Sequence, residues 1–259
     1  MRITLIGAGR VATQLAKALH TQHQIVQVYS RNLQHAQRVA DKVHTQAINQ
    51  VEQLNSQTDL VIIAVSDQAI EPIIQSIKTY LPQCLIVHTS GSTALSIIEH
   101  HHKRAGVFYP LQTFSFEREV NWSETPLFVE ASQQQDVELL TTLANSLSNN
   151  VYQYSSKQRQ TLHLAAVFAC NFSNYCYDMA KQIVDAEQVD FSLLYPLILE
   201  TAEKATHNNP QQMQTGPAMR GDQIILNLHT QLLAAFNRAD LAQVYALMSE
   251  GICKRHHVG

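Results

Sequence analysis

Charged residues are few in this chain: Asp, Glu, Lys and Arg make up 15% of its 259 residues, and the formal net charge is -3. No basic field exists to draw in a phosphate backbone, so nucleic acid is not an expected partner. Long apolar runs are missing too. No stretch approaches the roughly 20 residues that a bilayer span requires, and no membrane association is expected. The four cysteines, Cys84, Cys170, Cys176 and Cys253, contain no CxxC pair and no metal-ligand spacing. They read as reduced thiols, and no metal is expected. The opening apolar segment, residues 3–6, is too short for a secretory signal and begins a strand, which points to a cytoplasmic protein. No low-complexity linker divides the chain. Hydrophobic residues, at 45%, are enough for a sizeable core.

What is present starts at the first residues. Ile3, Leu5 and Ile6 form a short buried strand that runs into Gly7-x-Gly9-x-x-Ala12 and then a helix. Gly7 permits a tight turn, and Gly9 lets the backbone approach a pyrophosphate without a Cβ in the way. Ala12 keeps the helix close to the sheet. Arg10 and Val11 open that helix, whose free N–H groups and positive dipole end suit phosphates. Val11, Leu15, Ala18 and Leu19 then place an apolar stripe at helical spacing. Strands follow at residues 25–29, 59–65 and 85–88, alternating with helices at 33–43 and 68–80, and a turn is expected at 48–54. This alternation predicts a Rossmann-like, doubly wound parallel α/β sheet.

The end of the second strand decides the dinucleotide. NAD-binding sheets usually carry a carboxylate there for the ribose 2′-hydroxyl. Here the residues are Tyr29-Ser30-Arg31-Asn32. Arg31 can pair with a 2′-phosphate, and Ser30 and Asn32 can donate hydrogen bonds to it, so NADP(H) is the expected cofactor. A solvated Arg31 is the plainer alternative. Arg10 either stacks on the adenine or adds a second positive charge. Val65 and Ser66 close the next strand, where a nicotinamide ribose rests in such folds. His88 and Ser90 close the one after it. Ordinary turns and caps would explain these last residues equally well.

The texture changes after residue 106. A strand at 106–114 leaves the sheet, and strands at 126–130 and 151–154 flank a helix at 135–147. Beyond Ser155 only helices are expected, at 161–184, 193–206, 224–236 and 239–252. The predicted domains are therefore 1–155, nucleotide-binding, and 156–259, helical. Of the 13 histidines, His100, His101, His102, His256 and His257 read as solvated ends of elements. His88 and His163 lie in apolar surroundings.

Five segments together carry a resemblance. They are Gly7-Ala8-Gly9, His88-Thr89-Ser90-Gly91-Ser92, Tyr109-Pro110-Leu111-Gln112-Thr113-Phe114, the run from His163 to Asn171, and the run from Thr215 to Asp222. The set resembles a family of presumed NADP oxidoreductases in which a Rossmann-like domain precedes a helical domain of unknown function. It is more distantly similar to pyrroline-5-carboxylate reductase, ketopantoate reductase and the deazaflavin-dependent NADP oxidoreductases. The resemblance implies a 6-phosphogluconate-dehydrogenase-like C-terminal domain that often dimerises, and it implies no particular substrate. The lysine that hydroxyacid dehydrogenases of the wider superfamily carry in the first long helix is absent.

His163, Asn171 and Asn174 can take that place. At spacings of eight and three they share one face of a regular helix. In this architecture that helix lines the cleft facing the nicotinamide. His163 is the candidate proton donor and Asn171 the candidate to fix the reacting oxygen; a core histidine is the alternative. Ser90, Gln112, Asn174 and Arg220 are candidate substrate contacts, with Asp222 capping the helix that follows Arg220. Apolar helices at 193–206 and 224–236 expose more than a small domain can hide, so a homodimer is expected. Two classes of function fit: an oxidoreductase moving hydride between NADP(H) and a small carbonyl or imine metabolite, or a non-catalytic NADP(H)-binding sensor or scaffold. The polar stripe favours the enzyme.

Overall fold

The structure is a computed structural model that describes residues 1–257, the last of them by backbone alone. The side chain of His257 and residues 258–259 lie outside the described residues. The chain forms two compact units, Met1–Cys170 and Asn171 onward.

The first unit is built on an eight-stranded sheet. In chain order its strands are β1 (Arg2–Ile6), β2 (Gln24–Tyr29), β3 (Gln46–Ile48), β4 (Leu60–Ile63), β5 (Leu85–His88), β6 (Ala105–Pro110), β7 (Leu127–Ala131) and β8 (Val151–Gln153). They lie side by side as β3-β2-β1-β4-β5-β6-β7-β8. All neighbouring pairs are parallel except β6 with β7. Successive residues of a strand point to opposite faces, and β4 shows the result. Leu60 and Ile62 pack into one apolar layer with Leu15 and Leu140, whereas Val61 and Ile63 pack into the other with Ile70, Ile74 and Ile98. Helices cover both faces, which is why the strand reads as a continuous apolar run. Those helices are α1 (Arg10–His20), α2 (Leu33–Ala40), α3 (Asp67–Ile77), α4 (Ser96–Glu99) and α5 (Gln134–Asn145). The expected doubly wound sheet is present; the turn expected at 48–54 is there as a single 3-10 turn, Val51–Gln53, and an edge strand that was not expected, β3, precedes it. Three residues of an edge strand are too short to show a period.

The helix expected at 161–184 begins earlier and is not uniform. α6 (Ser156–Ala166) starts with a capping box in which Ser155 and Gln158 satisfy each other's backbone N–H groups. A π-helical stretch, Val167–Phe172, follows and leads into α7 (Ser173–Ala186). Wider π turns interrupt the 3.6-residue register, so the single stripe expected through His163, Asn171 and Asn174 is broken. The predicted domain boundary at Ser155 also differs from the division at Cys170. Leu162 of α6 packs against the sheet's apolar layer, which ties this helix to the first unit.

The second unit contains α7, α8 (Tyr195–His207), α9 (Pro217–Arg220), α10 (Gln223–Ala235) and α11 (Ala239–His257). Asp222 caps α10 as expected, its carboxylate accepting the Ile225 N–H. Met179, Leu233 and Leu241 form its buried apolar cluster. Among the described residues no helix is long and apolar enough to cross a membrane.

Two of the histidines expected to be solvated are not. His101 Nε2 is 2.8 Å from a Glu71 carboxylate oxygen, and buried His102 donates Nε2–H to the Cys84 carbonyl at 2.6 Å. His88, at the end of β5, is fully enclosed, and its Nδ1 accepts the Ser90 N–H at 3.1 Å. Burial pushes its pKa down to about 4, and the charge of Arg159 acts in the same direction. An unfolded chain with an ordinary histidine near 6.5 takes up the proton that this ring refuses. Stability is therefore full above about pH 6.5 and falls by up to about 3 kcal/mol as pH drops toward about 4. Asn at position 88 keeps an acceptor for Ser90 and does not titrate. Urea unfolding at about pH 7 and about pH 4.5 should show a smaller acid loss in His88→Asn than in the parent. An unchanged pH slope would assign the acid loss to other groups.

Candidate active site

Parallel strands bring the ends of β1, β2, β4 and β5 to one edge of the first unit, and a cavity of about 850 Å³ opens there. Its floor is the loop between β1 and α1. Gly7 has φ +114°, its N–H donates to the Tyr29 carbonyl at 2.8 Å, and a Cβ would collide with the Ala64 carbonyl. Protein packing alone thus demands glycine at position 7. Gly9 is different. It has ordinary backbone angles, and no atom lies within 4 Å of where its Cβ would be. The open side of Gly9 is room for a ligand. No side chain caps α1, whose first backbone bond runs from Thr13 N–H to the Gly9 carbonyl. The N–H groups of Arg10, Val11 and Ala12 therefore lack partners within the helix, and Arg10 and Val11 line the cavity. This cradle fits a pyrophosphate.

Ser30 and Arg31 line the cavity at the end of β2, joined by His35 from α2. Asn32 is not among the lining residues. Its side-chain oxygen accepts the N–H groups of Gln34 and His35 and caps α2, so any donation to a phosphate falls to its amide N–H groups. Arg10 lies over the Phe116 ring, its guanidinium carbon 5.8 Å from the ring centre, a cation–π placement. The loop carrying Phe116 is held by buried Gln14, whose amide donates to the carbonyls of Ser115 and Arg118, each at 3.0 Å.

Val65, Ser66 and Asp67 line the cavity beyond β4, and Thr89, Ser90, Gly91 and Ser92 line it beyond β5. His88 was expected to touch the cofactor, but it is sealed beneath this loop and is not part of the lining. Ser90 is a wall residue whose hydroxyl accepts the N–H groups of Ser92 and Thr93. Ser92 does not cap α4 and instead donates to the Asp67 carboxylate. Gln112 is exposed, does not line the cavity, and folds back to accept the Thr113 N–H at 2.8 Å. Asn171, Asn174 and Arg220 are exposed residues of the second unit and are not among the lining residues either.

His163 does line the cavity. Its Nδ1 is 3.1 Å from the Tyr109 hydroxyl, with the two rings edge to face. Gly91 makes room for them: a Cβ there would lie 2.6 Å from His163 Nδ1 and 2.8 Å from Tyr109 Cζ. One turn before His163, Arg159 is fully buried. It pairs with Glu130, donates to the Thr93 carbonyl, and donates to the Ser90 carbonyl at 3.2 Å. Sequence reasoning did not single out Tyr109, Arg159, His35 or Gly91 as functional. Tyr109 and Gly91 sit inside quoted motifs, and His35 lies one turn after Arg31. Arg159 leaves no local sign.

Residues 2–91 match the family described as NADP oxidoreductase, coenzyme F420-dependent, and residues 125–252 match a domain of unknown function. A Bacteroides fragilis protein, named as a presumed NADP oxidoreductase, is 41% identical, with a TM-score of 0.93 and 98% of each chain covered. This chain belongs to that family of NADP oxidoreductases. A Thermotoga maritima protein at 19% identity (TM-score 0.68, 97% of this chain and 98% of that one) shares the fold. So does an imine reductase from Myxococcus stipitatus in complex with NADP+ at 16% identity (TM-score 0.74, 99% and 96%). Among curated proteins no sequence matches.

The β2 end carries a direct prediction. A charge-assisted guanidinium–phosphate contact contributes about 1.5–3 kcal/mol, so Arg31→Ala should weaken NADPH binding by about 10- to 100-fold. NADH, which has no 2′-phosphate, should bind the variant as it binds the parent. Titration calorimetry with both nucleotides checks this, and equal losses for the two would remove Arg31 from phosphate recognition.

Proposed function

We propose that this protein is an NADP(H)-dependent reductase of a small carbonyl or imine metabolite, with His163 as the proton donor. The observation that carries this reading is the place of His163: on the wall of the cavity, beside the ends of β4 and β5, with its Nδ1 engaged by Tyr109. NADPH, when bound, supplies the hydride. The chain's own residues hold the nucleotide and manage the proton. Gly9 and the start of α1 receive the pyrophosphate, and Arg31 with Ser30 receives the 2′-phosphate. His163 presents its other nitrogen to the oxygen or nitrogen that gains a proton. The fold shared with an imine reductase favours a C=N substrate. A sensor that only bound nucleotide would need no proton donor at this wall.

Replacing His163 by Gln keeps a similar shape but removes the titratable ring. Turnover should fall at least 100-fold, the usual scale for a lost general acid, with NADPH affinity and melting temperature unchanged. NADPH oxidation against a panel of small cyclic imines and ketones measures this. Turnover and stability lost together would mean that His163 is a structural residue, and no turnover by the parent on any panel member would favour the sensor.

The same reading includes a homodimer. Leu193, Leu197, Leu199, Ile224 and Leu247 of the second unit are between 61% and 81% exposed, around a cluster of three buried apolar side chains. Such a surface is covered by a second copy in symmetric assemblies. Sedimentation at micromolar concentration should give twice the chain mass, and Ile224→Glu should give a monomer. A monomeric parent protein would refute the dimer.

A further inference from the structure

We propose that Tyr109 is the positioning residue for His163, holding the imidazole so that Nε2 faces the cavity whether the ring is neutral or charged. The inference rests on the proton-donor reading above. A buried hydroxyl needs a hydrogen-bond partner, and among the described residues His163 Nδ1 is the one partner found for the Tyr109 oxygen. A phenol is both donor and acceptor. It donates to bare Nδ1 of the neutral ring, which leaves the proton on Nε2. It accepts from Nδ1–H of the imidazolium, which leaves Nε2–H free to act. A carboxylate would favour the charged ring only, and an apolar residue would hold neither.

The phenol itself stays protonated. Burial pushes the Tyr109 pKa up to about 12, against the opposing charge of Arg159. A relay that ended on tyrosinate is therefore disfavoured at neutral pH, and the proton comes from the imidazolium. As hydride reaches the substrate carbon, the Nε2–H bond breaks and its electron pair stays on Nε2. The proton goes to the substrate nitrogen or oxygen, and Nδ1–H remains bonded to the Tyr109 oxygen. Solvent then returns a proton to Nε2. Gly91 is what lets the two rings meet, because any side chain there would displace Nδ1 from the hydroxyl.

Nitrogen NMR of histidine-labelled protein tests this without a substrate, with the His163 signals assigned by their loss in His163→Gln. The neutral ring should show a protonated Nε2 and a bare Nδ1 in the parent, and mixed tautomers in Tyr109→Phe. In the same variant, turnover of the imine or ketone found in the panel should fall at least tenfold with NADPH affinity unchanged. Gly91→Ala keeps both functional groups and should produce the same two changes. An unchanged tautomer pattern in Tyr109→Phe, or turnover within about twofold of the parent, overturns the proposal. Full turnover by His163→Gln would instead defeat the proton-donor reading, while the nitrogen spectra would still decide what Tyr109 does.

Discussion

Arg159 places its guanidinium where water does not reach, and the candidate site is organised around satisfying it. Glu130, at the end of β7, supplies the opposing charge, and Ser156 bonds both carboxylate oxygens of Glu130 at 2.8 Å. The carbonyls of Ser90 and Thr93 take the remaining donors, and Ser156 also accepts the Leu95 N–H. Three pieces of chain are thereby fixed together: the loop after β5, the end of β7 and the first turn of α6. Removing one partner of a buried pair typically costs about 3–5 kcal/mol, because the other is left charged in a dry environment. That cost keeps His163, one turn further along α6, registered against Gly91 and Tyr109. Rigid support of this kind is what a proton donor needs, since small errors of placement are expensive in rate.

The other end of the cavity, proposed to receive the phosphates, rests on weaker, more local parts. The start of α1 offers backbone N–H groups whose orientation is set by the helix, and Arg31 adds a charge that the neighbouring residues do not cancel. Asn32 shows how sequence chemistry is divided between competing uses. The side chain expected to donate to a phosphate has its oxygen accepting two backbone N–H groups, which defines where α2 begins.

How much of this was legible in the sequence follows from the range of each interaction. The glycine loop and the alternating strands and helices depend on adjacent residues, so pattern alone exposes them. His163 could be named because a histidine in an apolar helix is conspicuous. Arg159 could not, because apart from Ser156 its partners lie between 29 and 69 residues away and an arginine in a polar first turn reads as solvated. The stripe through Asn171 and Asn174 failed for a related reason. A π-helical stretch has no composition of its own, and helical spacing was extended through it. Gln112 was inferred from a motif, but its backbone lies beyond β6, where the side chain turns onto its neighbour.

Histidine offers the clearest case of environment deciding function. His88 and His163 lie in largely apolar stretches of sequence and His102 in a polar one, yet the fold gives each a task that its stretch does not announce. His88 is enclosed, held neutral, and used as an acceptor for one N–H of the loop above it. His102 is enclosed too, but it donates to a carbonyl and so joins its segment to the end of α3's connection. Only His163, of these three, has one nitrogen on an amphoteric partner while the ring lines a cavity. A ring fixed by a carbonyl alone must keep its proton on that nitrogen, and a sealed ring cannot pass a proton anywhere. A ring held by a phenol while it lines a cavity can do both, which is why the proposed proton transfer is placed on this histidine and not on the other two.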